Sequence, residues 1–523
     1  MDSPLTPLEF LRRARRLHGE REAVVDGALR LTYGQFGLRC DRWASALAQL
    51  GVRREDRVGT IAPNTHQHLE QFYAVPLVGA VLVPMNYRLA PNDFVYMVNH
   101  SGCTVLCVHE PYLEMIDGVR ERLTGVAHFV ALEGSRPGWL RYEELISAAE
   151  GPAPKPELDE RDLISINYTS GTTSNPKGVM ITHRNAWVNA VGTLAHWPMT
   201  CADRYLWTLP MFHANGWTFT WIVTAVGGTH VCLRNVDARA IHGLVNGERV
   251  TTLCAAPTVL ISLANAPEQE RRSLRRGLRL LTAGAPPAPA TLERVERELG
   301  WNVTHVYGLT ETSPFILICE PLPEHEHMTP AERAVQKARQ GVELITSGEL
   351  RVVTREWEDV PRDGNSVGEI VVRGNVVMEG YYKDPEATAT AFAGGWFHTG
   401  DAAVVHPDGY VEIRDRFKDV IISGGENISS IEVEGALLRH PAVLEVAVIG
   451  VPHEKWGESP KAFIVLRPRE HATAEELIEF ARAHLAHFKV PKSFEFVTAL
   501  PKTATGKIQK FILRGGRANL SRQ

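Results

Sequence analysis

The chain has 523 residues, 44% of them apolar and 22% charged, with a formal net charge of −5. That length is too great for one ordinary core, so at least two domains are expected. The slightly acidic balance excludes a whole-molecule basic field able to hold a nucleic-acid backbone or an anionic membrane, so anionic ligands must be met by local groups.

The opening stretch, MDSPLTPLEFLRRARRLHGEREAVV, is Arg-rich and amphipathic and lacks the apolar run of a secretory signal. No window reaches the ~18 uncharged apolar residues of a membrane span. The apolar 217–233 region contains Gly227, Gly228 and His230 and is closed by Arg234. A cytoplasmic protein with no membrane span is expected. RVGTIAP reads as a strand, NTHQHLEQFYAVPLVGA as a helix with apolar residues at three and four, and VLVPMN as a strand again, a βαβ unit. The strand-like SGCTVLCV puts Cys103 and Cys107 on one buried face. These and the other cysteines (40, 201, 232, 254 and 319) read as reduced core thiols, because C-x3-C without a second pair is a poor metal signature. EGPAPKPELDERD (150–162) is a surface connection. Runs of Val, Ile and Leu alternate with longer helical patterns through most of the chain, which gives an α/β class of helix-covered sheets. Glu324-His325-Glu326-His327 follows a Pro-flanked segment without a further ligand set and reads as a solvated loop. After HPDGYVEIRDRFKD the pattern becomes helix, strand (VLEVAVIGV), strand (KAFIVL), helix and basic tail, enough for a small α+β domain. The expected division is 1–417 and 418–523.

The sharpest feature is Tyr168-Thr-Ser-Gly-Thr-Thr-Ser-Asn-Pro-Lys-Gly178, read as lying after a strand and before an apolar helical segment. Glycine lets backbone N–H groups approach an anion, hydroxyls and an amide add donors, and Lys177 adds a point charge. It is a phosphate loop by composition. Walker A loops need Gly-Lys-Ser/Thr after four spacers, whereas here five residues separate Gly171 from Lys177 and Pro176 precedes the lysine.

This loop resembles the signature of the adenylate-forming superfamily of acyl-CoA synthetases, adenylation domains and luciferases. Further landmarks of that superfamily follow in order: PMFHANGW (210–217), TAGAPP (282–287), YGLTET (307–312), GWFHTGD (395–401), RFKDVIISGGENIS (416–429) and PKTATGKIQK (501–510). The resemblance covers nearly the whole chain and is nearest to fatty acyl-CoA synthetases and acyl-activating enzymes. It implies a large N-terminal domain with a distorted barrel-like subdomain and a small mobile C-terminal one.

The resemblance also assigns roles. Thr169, Ser170, Gly171, Thr172, Thr173 and Lys177 would clamp ATP phosphates, with Thr172 counted among the catalytic residues. Tyr307 would offer an aromatic face to adenine beside Gly284 and Ala285, with Gly308 bordering both nucleotide and acyl group. Thr310 would meet phosphate and Glu311 would hold Mg²⁺, as a hard cation on phosphate oxygens requires. Asp401 would accept from both ribose hydroxyls, helped by Arg416. Lys507 would stabilise charge that builds as a carboxylate attacks the α-phosphate. His213 resembles the aromatic residue that orients the carboxylate, and Trp217 could line or gate the acyl tunnel. Lys418 matches the hinge about which the small domain turns, bringing Gly424 and Gly425 to a tunnel for coenzyme A.

The implied reaction is carboxylate plus MgATP giving acyl-AMP and pyrophosphate, then displacement of AMP by the coenzyme A thiol, with no covalent enzyme intermediate. An uncharged Ala214–Trp217 stretch favours an apolar, medium- to long-chain fatty acid; a short-chain, aryl or thioether acid is the alternative. A carrier-loading adenylation enzyme, a luciferase-like oxygenase and a non-catalytic nucleotide sensor are the other readings, and a homodimer is a possible assembly.

Overall fold

The computed structural model describes residues 3–150, 156–169, 176–424, 426–503 and 507–515. Among these residues, four sheets organise the chain. The first is eight-stranded, and its centre runs parallel through Leu163–Thr169, Val81–Met85, Arg57–Ile61, Cys103–Val108 and His128–Ala131. Both sides of these strands are covered, which is why VLVPM is buried at every position and does not alternate. The expected βαβ unit is present: strand Arg57–Ile61, helix His66–Leu77 and strand Val81–Met85, the two strands pairing in parallel. Thr65 caps that helix by accepting from the His68 N–H at 3.2 Å.

The second sheet is nine-stranded and parallel at its centre, through Asn302–Gly308, Arg279–Thr282, Thr252–Ala255 and Arg204–Leu206. Phe315–Ile318 turns back antiparallel beside Asn302–Gly308, with Val342–Glu343 at the edge. The third sheet is antiparallel and four-stranded, Glu349–Val353, Gly368–Arg373, Phe397–Val405 and Val411–Arg416. A distorted barrel-like subdomain is expected within the N-terminal domain; this sheet is open, and among the described residues no barrel closes.

The fourth sheet has five strands, built on the long hairpin Val443–His453 and Gly457–Leu466. Its helices are Ser430–Leu437 and Ala474–His484, and together they bury their own core of Ile421, Ile428, Val446, Ile464 and Leu477. The chain leaves the third sheet at Arg416 and enters the fourth at Ile421, so Lys418 lies in the connecting turn.

Cys103 and Cys107 are both buried on strand Cys103–Val108, and burial pushes the Cys103 thiol up to about 11. The Glu324–His327 segment departs from expectation in one respect. It is a 3₁₀ turn whose His325 is buried, accepting from the Leu322 N–H at 3.1 Å and packing edge-on against Tyr410. Only its other three residues are exposed. Among the described residues, no helix is long and apolar enough to cross a membrane.

Candidate active site

The two strands that flank the candidate phosphate loop are paired. Leu163–Thr169 pairs antiparallel with Lys177–Thr182, and Thr169 stands opposite Lys177. The apolar segment expected to continue directly as helix is therefore a strand first, and the helix begins at His183. Period alone cannot separate a short apolar run into the two. Ser170, Gly171, Thr172 and Thr173 lie outside the described residues. The Lys177 ammonium stands 4.7 Å from the centre of the Tyr381 ring, and the Tyr381 hydroxyl donates to Glu311 at 2.9 Å. Tyr381 thus ties the phosphate hairpin to the turn Thr310–Thr312 that carries Glu311.

That turn follows the carboxyl end of strand Asn302–Gly308, the edge at which open parallel sheets bind ligands. Gly308 has a steric reason to be glycine: a Cβ there would stand 1.9 Å from the Pro314 carbonyl oxygen. One strand over, Gly284 follows Arg279–Thr282 with φ +91°, a conformation glycine adopts freely, and it is exposed beside Ala285. The nucleotide-binding candidates Gly284, Ala285, Tyr307, Gly308 and Thr310 therefore line one edge.

Tyr307 reaches across to the third sheet and donates to Asp401 at 2.6 Å. Arg416, paired with Asp401 in the neighbouring strand, meets the other carboxylate oxygen at 3.2 Å. Burial, then the positive charge of Arg416, pulls Lys507 down to about 8, against the opposing pull of Asp401. Burial and the nearby Lys507 push the His213 ring down to about 4, so it is neutral at physiological pH. Residues 213, 307, 401, 416 and 507, far apart in sequence, thus form one electrostatic cluster. Lys507 is held at its backbone by Thr503, whose hydroxyl accepts from the Lys507 N–H at 3.1 Å.

The segment after His213 is unusual. Ala214, Asn215, Gly216, Trp217 and Thr218 all have positive φ, between 37° and 66°. A left-handed conformation costs ~1–2 kcal/mol per non-glycine residue, so such a turn persists only where its surroundings over-determine it. Trp217 is 3% exposed and packs edge-on against Phe315, ring centres 5.7 Å apart. Gly424, at φ +61°, donates its N–H to the Trp456 carbonyl at 2.8 Å on the fourth sheet; Gly425 lies outside the described residues. Sequence reasoning missed Tyr381 and Phe315. The only signal for either is aromatic character beside a glycine- or proline-bearing turn, GYYKD and TSPF.

Strand-end glycines, a partly buried lysine beside an Asp–Arg pair, and a Lys-bearing hairpin define an adenylate-forming enzyme. Residues 10–382 match the model of the AMP-binding enzyme family and residues 432–507 that of the AMP-binding enzyme C-terminal domain. The chain belongs to this family and is an AMP-forming acid–thiol ligase. It is 46% identical to 4-hydroxybutyrate–CoA ligase 2 of Metallosphaera sedula, over 98% of this chain and 94% of that protein. It is 40% identical to the peroxisomal trans-cinnamate:CoA ligase of Petunia hybrida, with the same shares covered. Among solved structures, an anthranilate CoA ligase in complex with anthranoyl-AMP superposes with a TM-score of 0.89 at 27% identity, over 98% of both chains.

Proposed function

We propose that the protein is an ATP-dependent acyl-CoA ligase for a compact carboxylic acid, running adenylation and thioester formation in one pocket. The observation that carries this reading is the convergence of Lys507, from the segment that follows the fourth sheet, with Asp401, Arg416 and His213. In the first half-reaction a carboxylate oxygen bonds to the α-phosphorus while the bond to the β-phosphate oxygen breaks, and pyrophosphate leaves. Lys507 stabilises the charge on the α-phosphate, Thr169 and Lys177 hold the outgoing phosphates, and Asp401 with Arg416 fixes the ribose. His213, neutral, orients the carboxylate without competing for its charge. In the second half-reaction the coenzyme A sulfur attacks the acyl carbon and AMP leaves.

Glu311 suits Mg²⁺: one oxygen accepts from Tyr381, and among the described residues the second has no hydrogen-bond donor, so it could meet a hard cation shared with phosphate. Bound there, the ion would neutralise phosphate charge. The domain division at Lys418 belongs to the same reading, supported by a turn linking two sheets with separate cores. Cytoplasmic residence is supported by seven cysteines that are all free thiols.

A compact acid, shorter than the medium- to long-chain range expected from sequence, is supported by the Trp217 ring seated on Phe315 beyond His213. Relatives point the same way, among them CoA ligases named for 4-hydroxybutyrate, 2-methylpropanoate and benzoate. The test is pyrophosphate release from MgATP across acetate to palmitate, 4-hydroxybutyrate, benzoate and cinnamate, with and without coenzyme A. Acyl-CoA formed fastest from an acid of about six carbons or fewer, or a single ring, is expected. Fastest turnover of palmitate would restore the long-chain reading, and pyrophosphate release indifferent to coenzyme A at turnover would favour a carrier acceptor.

A further inference from the structure

Beneath the left-handed turn lies a closed ring of three buried polar side chains. The Ser165 hydroxyl donates to Asn167 Oδ1 at 2.9 Å, Asn167 Nδ2 donates to Asn215 Oδ1 at 3.2 Å, and Asn215 Nδ2 donates to Ser165 Oγ at 2.6 Å. Each residue gives one bond and takes one, and none is more than 2% exposed. The second N–H of Asn167 goes to the Phe212 carbonyl at 3.1 Å, immediately before His213. Asn215 is also bound by its backbone, its carbonyl accepting from the Thr220 hydroxyl at 3.0 Å.

The ring's position is informative. Ser165 and Asn167 belong to strand Leu163–Thr169, which runs directly into the phosphate hairpin, whereas Asn215 is the second residue of the turn between His213 and Trp217. A buried ring of this kind is costly to leave half-made, so it admits one arrangement of strand and turn. Asparagine is also, after glycine, the residue best suited to left-handed backbone at that point.

We propose that Asn167 and Asn215 are positioning residues for adenylation. With Ser165 they lock the acid-binding turn onto the phosphate-loop strand, so that carboxylate and α-phosphorus meet in register. The ring touches neither reactant; it sets the distance between the two segments that do. Because attack of the carboxylate oxygen on the α-phosphorus depends on near-attack geometry, a small loosening acts on kcat more than on the binding of either substrate. This rests on the adenylating reading above.

The test is acid-dependent exchange of pyrophosphate into ATP by the full chain, comparing Asn215→Gly, Asn167→Ala, their double variant and Ser165→Ala. Asn215→Gly keeps the left-handed backbone accessible while opening the ring. It is expected to lower kcat about 10- to 100-fold, with the KM for ATP within about twofold. Since either change opens the same ring, the double variant should fall within about threefold of the worse single. Exchange within twofold of the parent in Asn215→Gly, or losses that multiply in the double variant, would overturn the proposal. If the amide variants do not fold, Ser165→Ala decides: it removes one hydroxyl and leaves both side-chain amides, including the Asn167 bond to the Phe212 carbonyl, and it should lower kcat at least fivefold without raising the KM for ATP. Unchanged kcat there overturns the positioning role. A parent enzyme that exchanges with no acid would instead overturn the adenylating reading itself.

Discussion

The depressed lysine makes the alkaline behaviour of the first half-reaction predictable. Lys507 is drawn down to about 8 by burial and by Arg416. Its cation, the form to which the proposed function gives transition-state stabilisation, is therefore fully present well below pH 8 and lost as pH rises through that value. At pH 7 about nine lysines in ten carry the proton, at pH 8 half, and at pH 9 about one in ten. His213, near 4, stays neutral throughout and contributes no limb in this range. The measurement is kcat/KM for pyrophosphate release at constant ionic strength between pH 6 and pH 10, which reports the free enzyme. A plateau to about pH 7.5 is expected, followed by a tenfold fall per unit, reaching about 30-fold below the plateau at pH 9.5. Bound triphosphate favours the cation, so the limb in kcat should lie further alkaline. Lys507→Arg, with a guanidinium charged throughout, should lower the plateau and abolish the limb. Arg416→Gln, removing the second cause, should move the limb to higher pH. A flat profile through pH 9.5, or a limb at 8 that survives in Lys507→Arg, would refute the assignment of this titration to Lys507.

Other outcomes follow from single contacts. Gly308→Ala sets a Cβ against the Pro314 carbonyl and must displace the turn carrying Glu311; pyrophosphate release should fall at least 100-fold, with calorimetry showing weakened ATP binding. Tyr381→Phe keeps the ring beside Lys177 but removes the donor to Glu311, so the KM for MgATP should rise about fivefold while the KM for the acid is unchanged. Trp217→Ala should shift the preferred acid toward longer chains in a competition assay, by at least tenfold in the ratio of kcat/KM values. His66 provides a stability test away from the site. Burial alone would lower its pKa, but the Asp26 and Glu143 carboxylates raise it to about 9. Its contribution is therefore full below the ordinary histidine value near 6.5 and lost as pH rises through about 9. Thermal melts should show Tm falling across that window, and His66→Gln should flatten the decline.

What could be read from sequence, and what could not, divides along a physical line. Tyr307, Asp401 and Lys507 could be picked out as candidates because each sits in a short stretch recognisable without its neighbours. Their assembly was implied by order alone, and the structure places the Tyr307 hydroxyl on a carboxylate 94 residues away. Tyr381 was not legible, because its function lies in contacts: a hydroxyl on Glu311, 70 residues earlier, and a ring beside Lys177. The segment GVMIT shows a second kind of limit. A five-residue apolar run suits strand or helix equally until its partner is known, and the partner strand, Leu163–Thr169, lies on the far side of the loop. His325 shows a third, since one buried imidazole in an otherwise exposed turn is decided by Tyr410, a residue distant in sequence.

The same line explains why acyl choice is the last thing to emerge. The adenylate half of the pocket is built from strand ends and strand-end glycines, where period and residue type coincide. On the proposed reading the acyl half depends on a left-handed turn, and that turn is held by the ring of Ser165, Asn167 and Asn215, by the Asn215 carbonyl bound to Thr220, and by the Trp217 ring packed edge-on against Phe315. Read alone, Asn215-Gly216 suggests only an ordinary turn. Five consecutive positive φ values redirect the tryptophan toward the strand after Pro314. A change in any of these contacts would reshape the acyl end while leaving every nucleotide-binding landmark intact, so two chains with identical landmarks can differ in acid.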